Sequence, residues 1–176
     1  FRSSYQVNRD EGVRNAIRIM KESGADAVKL EGGSEIIDTI RGILAAGIPV
    51  VGHLGLTPQS VHKCVFYGVI AKDEAEAAKL LSDAKLLDEA GVCALVLEKV
   101  PHTLAAEVSK QIETPTIGIG AGNETDGQVL VYADALGMTS GFKPKFLRHF
   151  AQVGQCMAAG VEEYVKCVKE GSFPGE

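Results

Sequence analysis

Four residues of this 176-residue chain have the types and the positions to carry chemistry: Lys29, Glu31, His53 and Glu98. Each stands at or near the end of a short aliphatic run, where an apolar segment turns polar. Lys29 and Glu31 are two apart in residues 27–31 (AVKLE), so in an extended strand both project to one face and Leu30 to the other. A cation beside a carboxylate can hold an anionic substrate together with a metal ion or an ordered water; the same pair can equally be a plain rim salt bridge. If it faces a barrel interior it needs partners, because an isolated buried charge is very costly. The following Gly32-Gly33 lets backbone approach a ligand closely. His53 sits among glycines in GHLGLTPQS, where an imidazole can bind a substrate, exchange a proton or orient a neighbour. Glu98 closes residues 94–98 (ALVLE) and is a candidate general base or acid; the alternative is a strand-end charge paired with Lys99.

Other polar features carry less. The glycines of GIGAG (118–122) follow an aliphatic run as a phosphate cradle would, yet they fit neither GxGxxG spacing nor a Walker loop, and tight packing is the favoured reading. Asp126 and Asp134 are further rim candidates, Asp126 more in the manner of a cap or turn residue. His62, His102 and His149 have no partner at ligand spacing and read as surface or capping residues. No Ser–His–Asp or Cys–His arrangement is legible, so nothing supports an acyl-enzyme.

The elements that must position these residues follow from periodicity. Residues 27–31, 48–53, 94–98 and 116–120 read as buried strands, with 128–133 as a weaker fifth. Between them lie helical patterns over 11–23, 36–44 (with Ser34 as a possible N-cap), 73–90 (ending at Gly91), 102–111 and 146–169. Strands alternating with helices through short connections mean parallel βαβ units. Residues 57–72 form the longest irregular stretch, expected to be a lid or an oligomer contact. An open doubly wound sheet would gather ligand groups at one switch point, whereas a (β/α)8 barrel builds its site from many strand ends. Polar residues ending several different strands favour the barrel. A whole barrel takes about 250 residues, so a partial barrel is expected.

Composition excludes several classes. With 23 acidic against 18 basic residues, the net charge of -5 argues against a nucleic-acid-binding surface. No stretch approaches the roughly 18 apolar residues of a membrane span. Cys64, Cys93, Cys156 and Cys167 show no CxxC, and buried free thiols in a reducing compartment are expected, Cys93 lying in an apolar run. The chain opens on Phe1 with no signal peptide after it, so a truncated N-terminus is expected.

VKLEGG, GHLGLTPQS, LVLEKVP, IGIGAGNETDGQVLV and the terminal FPGE occur in that order across nearly the whole chain, and together they resemble the ketopantoate (3-methyl-2-oxobutanoate) hydroxymethyltransferase family. The resemblance implies an α/β fold, a (β/α)8 TIM barrel of the phosphoenolpyruvate/pyruvate superfamily, of which residues 1–176 would be one part-domain holding about strands four to eight and the C-terminal helices. It implies transfer of a hydroxymethyl unit from methylenetetrahydrofolate to 3-methyl-2-oxobutanoate, in pantothenate and hence coenzyme A synthesis, through an enolate and with Mg2+. By the same resemblance Lys29 and His53 would bind substrate, Glu31 would serve the magnesium through coordinated water, and Glu98 would be the general base. Homo-oligomers, decamers in the full-length protein, are implied, in the cytoplasm or in mitochondria if an upstream segment carries a targeting sequence. The family also holds metal and substrate through an Asp-Ser pair and an Asp upstream of what matches Phe1. The expectation is therefore a fragment without catalytic competence by itself.

Two other readings stay open at this point. A Schiff-base aldolase would use Lys29, but it needs a desolvated lysine, and a carboxylate two residues away opposes that. An inactive truncated paralogue acting as an oligomer or interaction partner would need none of the rim chemistry.

Overall fold

The computed structural model describes residues 4–58, 71, 73–141 and 144–175. The chain divides into two compact units, residues 1–129 and 130–176. The first holds helix α1 (Arg9–Ser23), strand β1 (Val28–Glu31), a 3-10 turn (Ser34–Ile36), α2 (Ile37–Ala45), β2 (Val50–Gly55), α3 (Glu74–Ala90), β3 (Ala94–Glu98), α4 (His102–Gln111), β4 (Thr116–Ile119) and β5 (Gly127–Gln128). The second holds α5 (Tyr132–Ala135) and α6 (Val153–Glu170). Among the described residues no helix is long and apolar enough to cross a membrane.

All five strands are parallel and lie side by side in chain order, β1-β2-β3-β4-β5. An open doubly wound sheet reverses its strand order at a switch point. This sheet does not reverse, which is the arrangement of a segment of a (β/α)8 barrel. The register fixes two chemically different faces. Val28, Leu30, Val50, Leu54, Leu95 and Leu97 point one way and join Ala16, Ile40, Ile43, Leu80, Leu87, Leu104 and Val108 of α1–α4 in a single apolar core. Burying each of the Val, Leu and Ile side chains among them is worth roughly 1.5–3 kcal/mol. The alternate positions, Lys29, Glu31, His53 and Glu98, fall on the opposite face, away from the helices.

Local chemistry sets the helix ends. Asn8 caps α1 by accepting the Glu11 N–H at 2.9 Å, and Asp73 caps α3 by accepting that of Glu76 at 2.8 Å. Ser34 is not the cap expected of it. It lies inside the 3-10 turn, and its N–H donates to Asp83 Oδ1 at 3.1 Å.

Three other expectations are corrected. The fifth strand spans only Gly127 and Gln128; beyond Val129, the Val131 carbonyl accepts from Asp134 and Ala135 and starts α5 instead. The last helix begins at Val153 rather than 146, because the Phe150 and Val153 amides donate to Ala135 and Leu136, not to a preceding helical turn. Cys93 is exposed, since it precedes β3 at the sheet's N-terminal end, where its thiol donates to the Val50 carbonyl at 3.2 Å. Cys93, Cys156 and Cys167 are free thiols. Most of the irregular stretch over 57–72, with His62 and Cys64, lies outside the described residues.

Candidate active site

The parallel register brings the four candidate residues together at the C-terminal ends of three adjacent strands. Glu31 of β1 is level with His53 of β2, and Gly55, two residues on, is level with Glu98 of β3. Lys29 Nζ lies 3.1 Å from His53 Nδ1 and 3.8 Å from Glu31 Oε1. His53 Nδ1 is itself 3.8 Å from Glu31 Oε1, and Nε2 on the far side of the ring is 3.3 Å from Glu98 Oε2.

Exposure separates the roles open to these groups. The Glu31 and His53 side chains are 3% and 1% exposed, Glu98 is 17% exposed, and Lys29 is 45% exposed. Lys29 can thus meet a ligand from solvent while anchored at its tip. A Schiff-base lysine in a desolvated pocket does not match that exposure. His53 Nε2 is fully buried and, among the described residues, has no hydrogen-bond partner; Glu98 Oε2 lies 3.3 Å away without forming an aligned hydrogen bond.

The strand ends are held firmly. Tyr5, wholly buried, accepts the Glu31 N–H at 3.0 Å and donates its hydroxyl to the Glu31 carbonyl at 3.2 Å. Burial pushes the Tyr5 hydroxyl above its ordinary value, the negative charges of Glu31 and Glu35 add to this, and the backbone bond to Glu31 opposes it. The Glu98 carbonyl accepts the Leu56 N–H at 2.8 Å, and the next residue, Lys99, turns the chain with φ +51 while its N–H donates to Ile119 at 2.9 Å. Gly55 makes this possible: its φ is +91, and a Cβ there would lie 2.2 Å from the Glu98 carbonyl oxygen. Beyond β1, Gly33 lies directly on Asp83, a buried carboxylate that also pairs with Lys79.

The other sequence candidates do not join this cluster. The GIGAG glycines serve close packing: a Cβ on Gly118 would sit 2.6 Å from Thr125 Oγ1, and one on Gly122 2.5 Å from His102 Cβ. Asp126 works at the opposite end of the sheet. Its carboxylate accepts the backbone N–H and hydroxyl of Thr116, the first residue of β4, at 2.7 and 2.8 Å. Those two bonds hold it below the usual carboxylate range. Asp134 accepts the Thr139 hydroxyl within the second unit. Tyr5 is the participant that sequence reasoning missed as a clamp. Its one legible signal is a large aromatic just before the first helix, which says nothing of a partner 26 residues away.

The donor set bears on a metal. Among the described residues no three His, Cys, Asp or Glu side chains converge as metal ligands. Magnesium asks for less: one or two protein carboxylates suffice when water and substrate oxygens complete its shell. A buried, hard-oxygen carboxylate such as Glu31, facing the strand ends, fits that limited role.

The model of the family described as ketopantoate hydroxymethyltransferase matches residues 2–176. Proteins named 3-methyl-2-oxobutanoate hydroxymethyltransferase are similar to this chain. That of Bacteroides fragilis is 58% identical over 173 residues, covering 98% of this chain and 63% of its own length. That of Phocaeicola vulgatus is 57% identical with the same coverage, and that of Prosthecochloris aestuarii is 55% identical, with 62% of its length covered. The chain thus spans less than two thirds of the relatives it matches.

Proposed function

The chain belongs to the ketopantoate hydroxymethyltransferase family, and from that membership we propose that it carries much of the site for hydroxymethyl transfer to 3-methyl-2-oxobutanoate. The product is ketopantoate, and the donor is methylenetetrahydrofolate. The observation that supports this reading most is the alignment of Lys29, Glu31, His53 and Glu98 across three adjacent strand ends.

Each residue then has a physical task. The Lys29 ammonium, half exposed and pinned at His53, attracts and orients the anionic 2-oxo acid. Glu31 holds Mg2+, directly or through water, on a carboxylate whose backbone Tyr5 keeps in place. When bound, magnesium supplies Lewis acidity that favours enolisation of a 2-oxo acid. Glu98, next to solvent but backed by His53, removes the C3 proton. The C3–H electron pair becomes the C2–C3 double bond, and the carbonyl pair moves onto the keto oxygen. Water adds to the methylene carbon of the donor as its two C–N bonds break, both water protons going to the nitrogens of the departing tetrahydrofolate. C3 of the enolate bonds to the formaldehyde carbon so released, and the resulting alkoxide takes back the proton held by Glu98 to become the hydroxyl.

Proton–deuterium exchange at C3 of 3-methyl-2-oxobutanoate, followed by NMR with and without Mg2+, tests this. The protein is this chain carried to the full length of its relatives. Exchange that depends on Mg2+ is the expected result. A folded protein that leaves C3 unexchanged in both conditions would overturn the proposal.

A further inference from the structure

We propose that His53 is a positioning residue that orients Glu98 rather than a ligand for the substrate, and that Lys29 sets the imidazole tautomer that lets it do so. The inference rests on the reading of Glu98 as the base. The His53 side chain is 1% exposed, on the middle of the three strands, and offers no surface for a substrate to touch. Its two nitrogens face different groups. An ammonium has hydrogens and no lone pair, so in the 3.1 Å contact Lys29 donates and Nδ1 accepts. A neutral ring that accepts at Nδ1 carries its one hydrogen on Nε2.

Among the described residues that hydrogen has the Glu98 carboxylate in reach. Nε2 is 3.3 Å from Glu98 Oε2, buried and without an aligned bond. Glu31 is 3.8 Å from the other nitrogen, beyond hydrogen-bond length and on the lone-pair side. A small turn of Glu98 toward the ring satisfies the orphaned donor, and Glu98, 17% exposed, has the room to make it. Catalytic hydrogen bonds are commonly long before substrate arrives and tighten in the complex. With Oε2 engaged by His53, Oε1 is the oxygen left for the C3 proton. Lys29 thereby has two tasks: attracting the oxo acid, and fixing through Nδ1 which oxygen of Glu98 is occupied.

Two measurements test this. The first is the 15N signature of the His53 ring in histidine-labelled protein, assigned by its loss in His53→Gln. A proton on Nε2 and a bare Nδ1 are expected, with Lys29→Met abolishing the single tautomer. A proton on Nδ1 in the parent protein overturns the inference, and no turnover is needed to see it. The second is a double-mutant cycle on C3 exchange in the full-length protein. His53→Ala is expected to lower kcat by on the order of 10- to 100-fold with KM for the oxo acid unchanged. His53→Gln, whose amide can donate near the Nε2 position, should recover part of that loss. In a Glu98→Gln background His53→Ala should cost nothing further. Additive losses, or a rise in KM with kcat intact, overturn the positioning role. A parent protein without C3 exchange removes the Glu98 reading instead, and the ring tautomer still decides whether Lys29 and His53 are coupled as proposed.

Discussion

The Tyr5 hydroxyl satisfies both backbone polar groups of Glu31, accepting its N–H at 3.0 Å and donating to its carbonyl at 3.2 Å. Glu31 is the last residue of β1, so one phenol ties the segment before α1 to the strand end that carries the buried carboxylate.

Tyr5→Phe keeps the ring and removes the hydroxyl, deleting one hydrogen bond to the Glu31 N–H and one to its C=O. The expected loss is about 1–3 kcal/mol in urea unfolding. The sign of its pH dependence follows from the raised hydroxyl. The folded state holds the Tyr5 proton to higher pH than the unfolded chain, whose ordinary value is 10.0, so this stabilisation is complete below 10.0 and is lost as pH rises above it. Tyr5→Phe should flatten that alkaline limb; an unchanged limb would show that Tyr5 does not cause it.

Two carboxylates shape the acid limb. Asp88 accepts the Thr114 hydroxyl at 2.6 Å and its N–H at 2.8 Å, and Asp126 does the same for Thr116. Side-chain bonding from Thr114 depresses Asp88, and backbone bonding from Thr116 depresses Asp126, both from 3.8. Their stabilisation is present above 3.8 and is lost as pH falls through the lower folded values. Unfolding midpoints measured from pH 6 downward should fall less steeply in the Asp88→Asn, Asp126→Asn double variant.

Glu98→Gln keeps shape and removes the base. In the full-length protein kcat should fall by roughly 10²–10⁴, with KM for the oxo acid little changed. Lys29→Ala should raise that KM by about 10- to 100-fold, the worth of a charge-assisted hydrogen bond, and should also lower kcat, because the His53 ring loses the contact that sets its tautomer. Steady-state kinetics with the reverse pattern would exchange the two roles.

Gly55→Ala forces a Cβ to within 2.2 Å of the Glu98 carbonyl oxygen at a backbone φ of +91. A loss of about 2–3 kcal/mol is expected, together with a lower kcat, because the Leu56-to-Glu98 bond that seats β3 must shift. Thermal unfolding and kinetics on one preparation check both effects. Stability lost with kcat intact would mean Glu98 does not depend on this turn.

Much of the fold was legible because aliphatic runs that turn polar mark both a strand and its C-terminal end. Lys29, Glu31, His53 and Glu98 could be placed on one rim from that alone, and Asp73 and Gly91 bounded α3 by simple capping chemistry. Partners distant in sequence were not legible. Nothing in 128–133 shows that Val131 will start a helical turn, and nothing near Cys93 shows that its side chain is exposed at the sheet's N-terminal end. The Tyr5 clamp and the Asp126–Thr116 bridge are tertiary, so residue type suggested only an aromatic and a turn. The depth of His53 was hidden for the same reason: alternation gives its face, but burial depends on the two flanking strands.

The two-faced register of β2 has a consequence for how errors in folding are met. Were β2 to pair one residue out of step, His53 would enter the aliphatic layer beside Leu30 and Leu95, and Leu54 would take its place between two carboxylates. Such a misthreaded sheet would lose its apolar seal and its reactive groups in the same event. Correct pairing of β2 and correct placement of His53 beside Glu31 and Glu98 are therefore one and the same requirement.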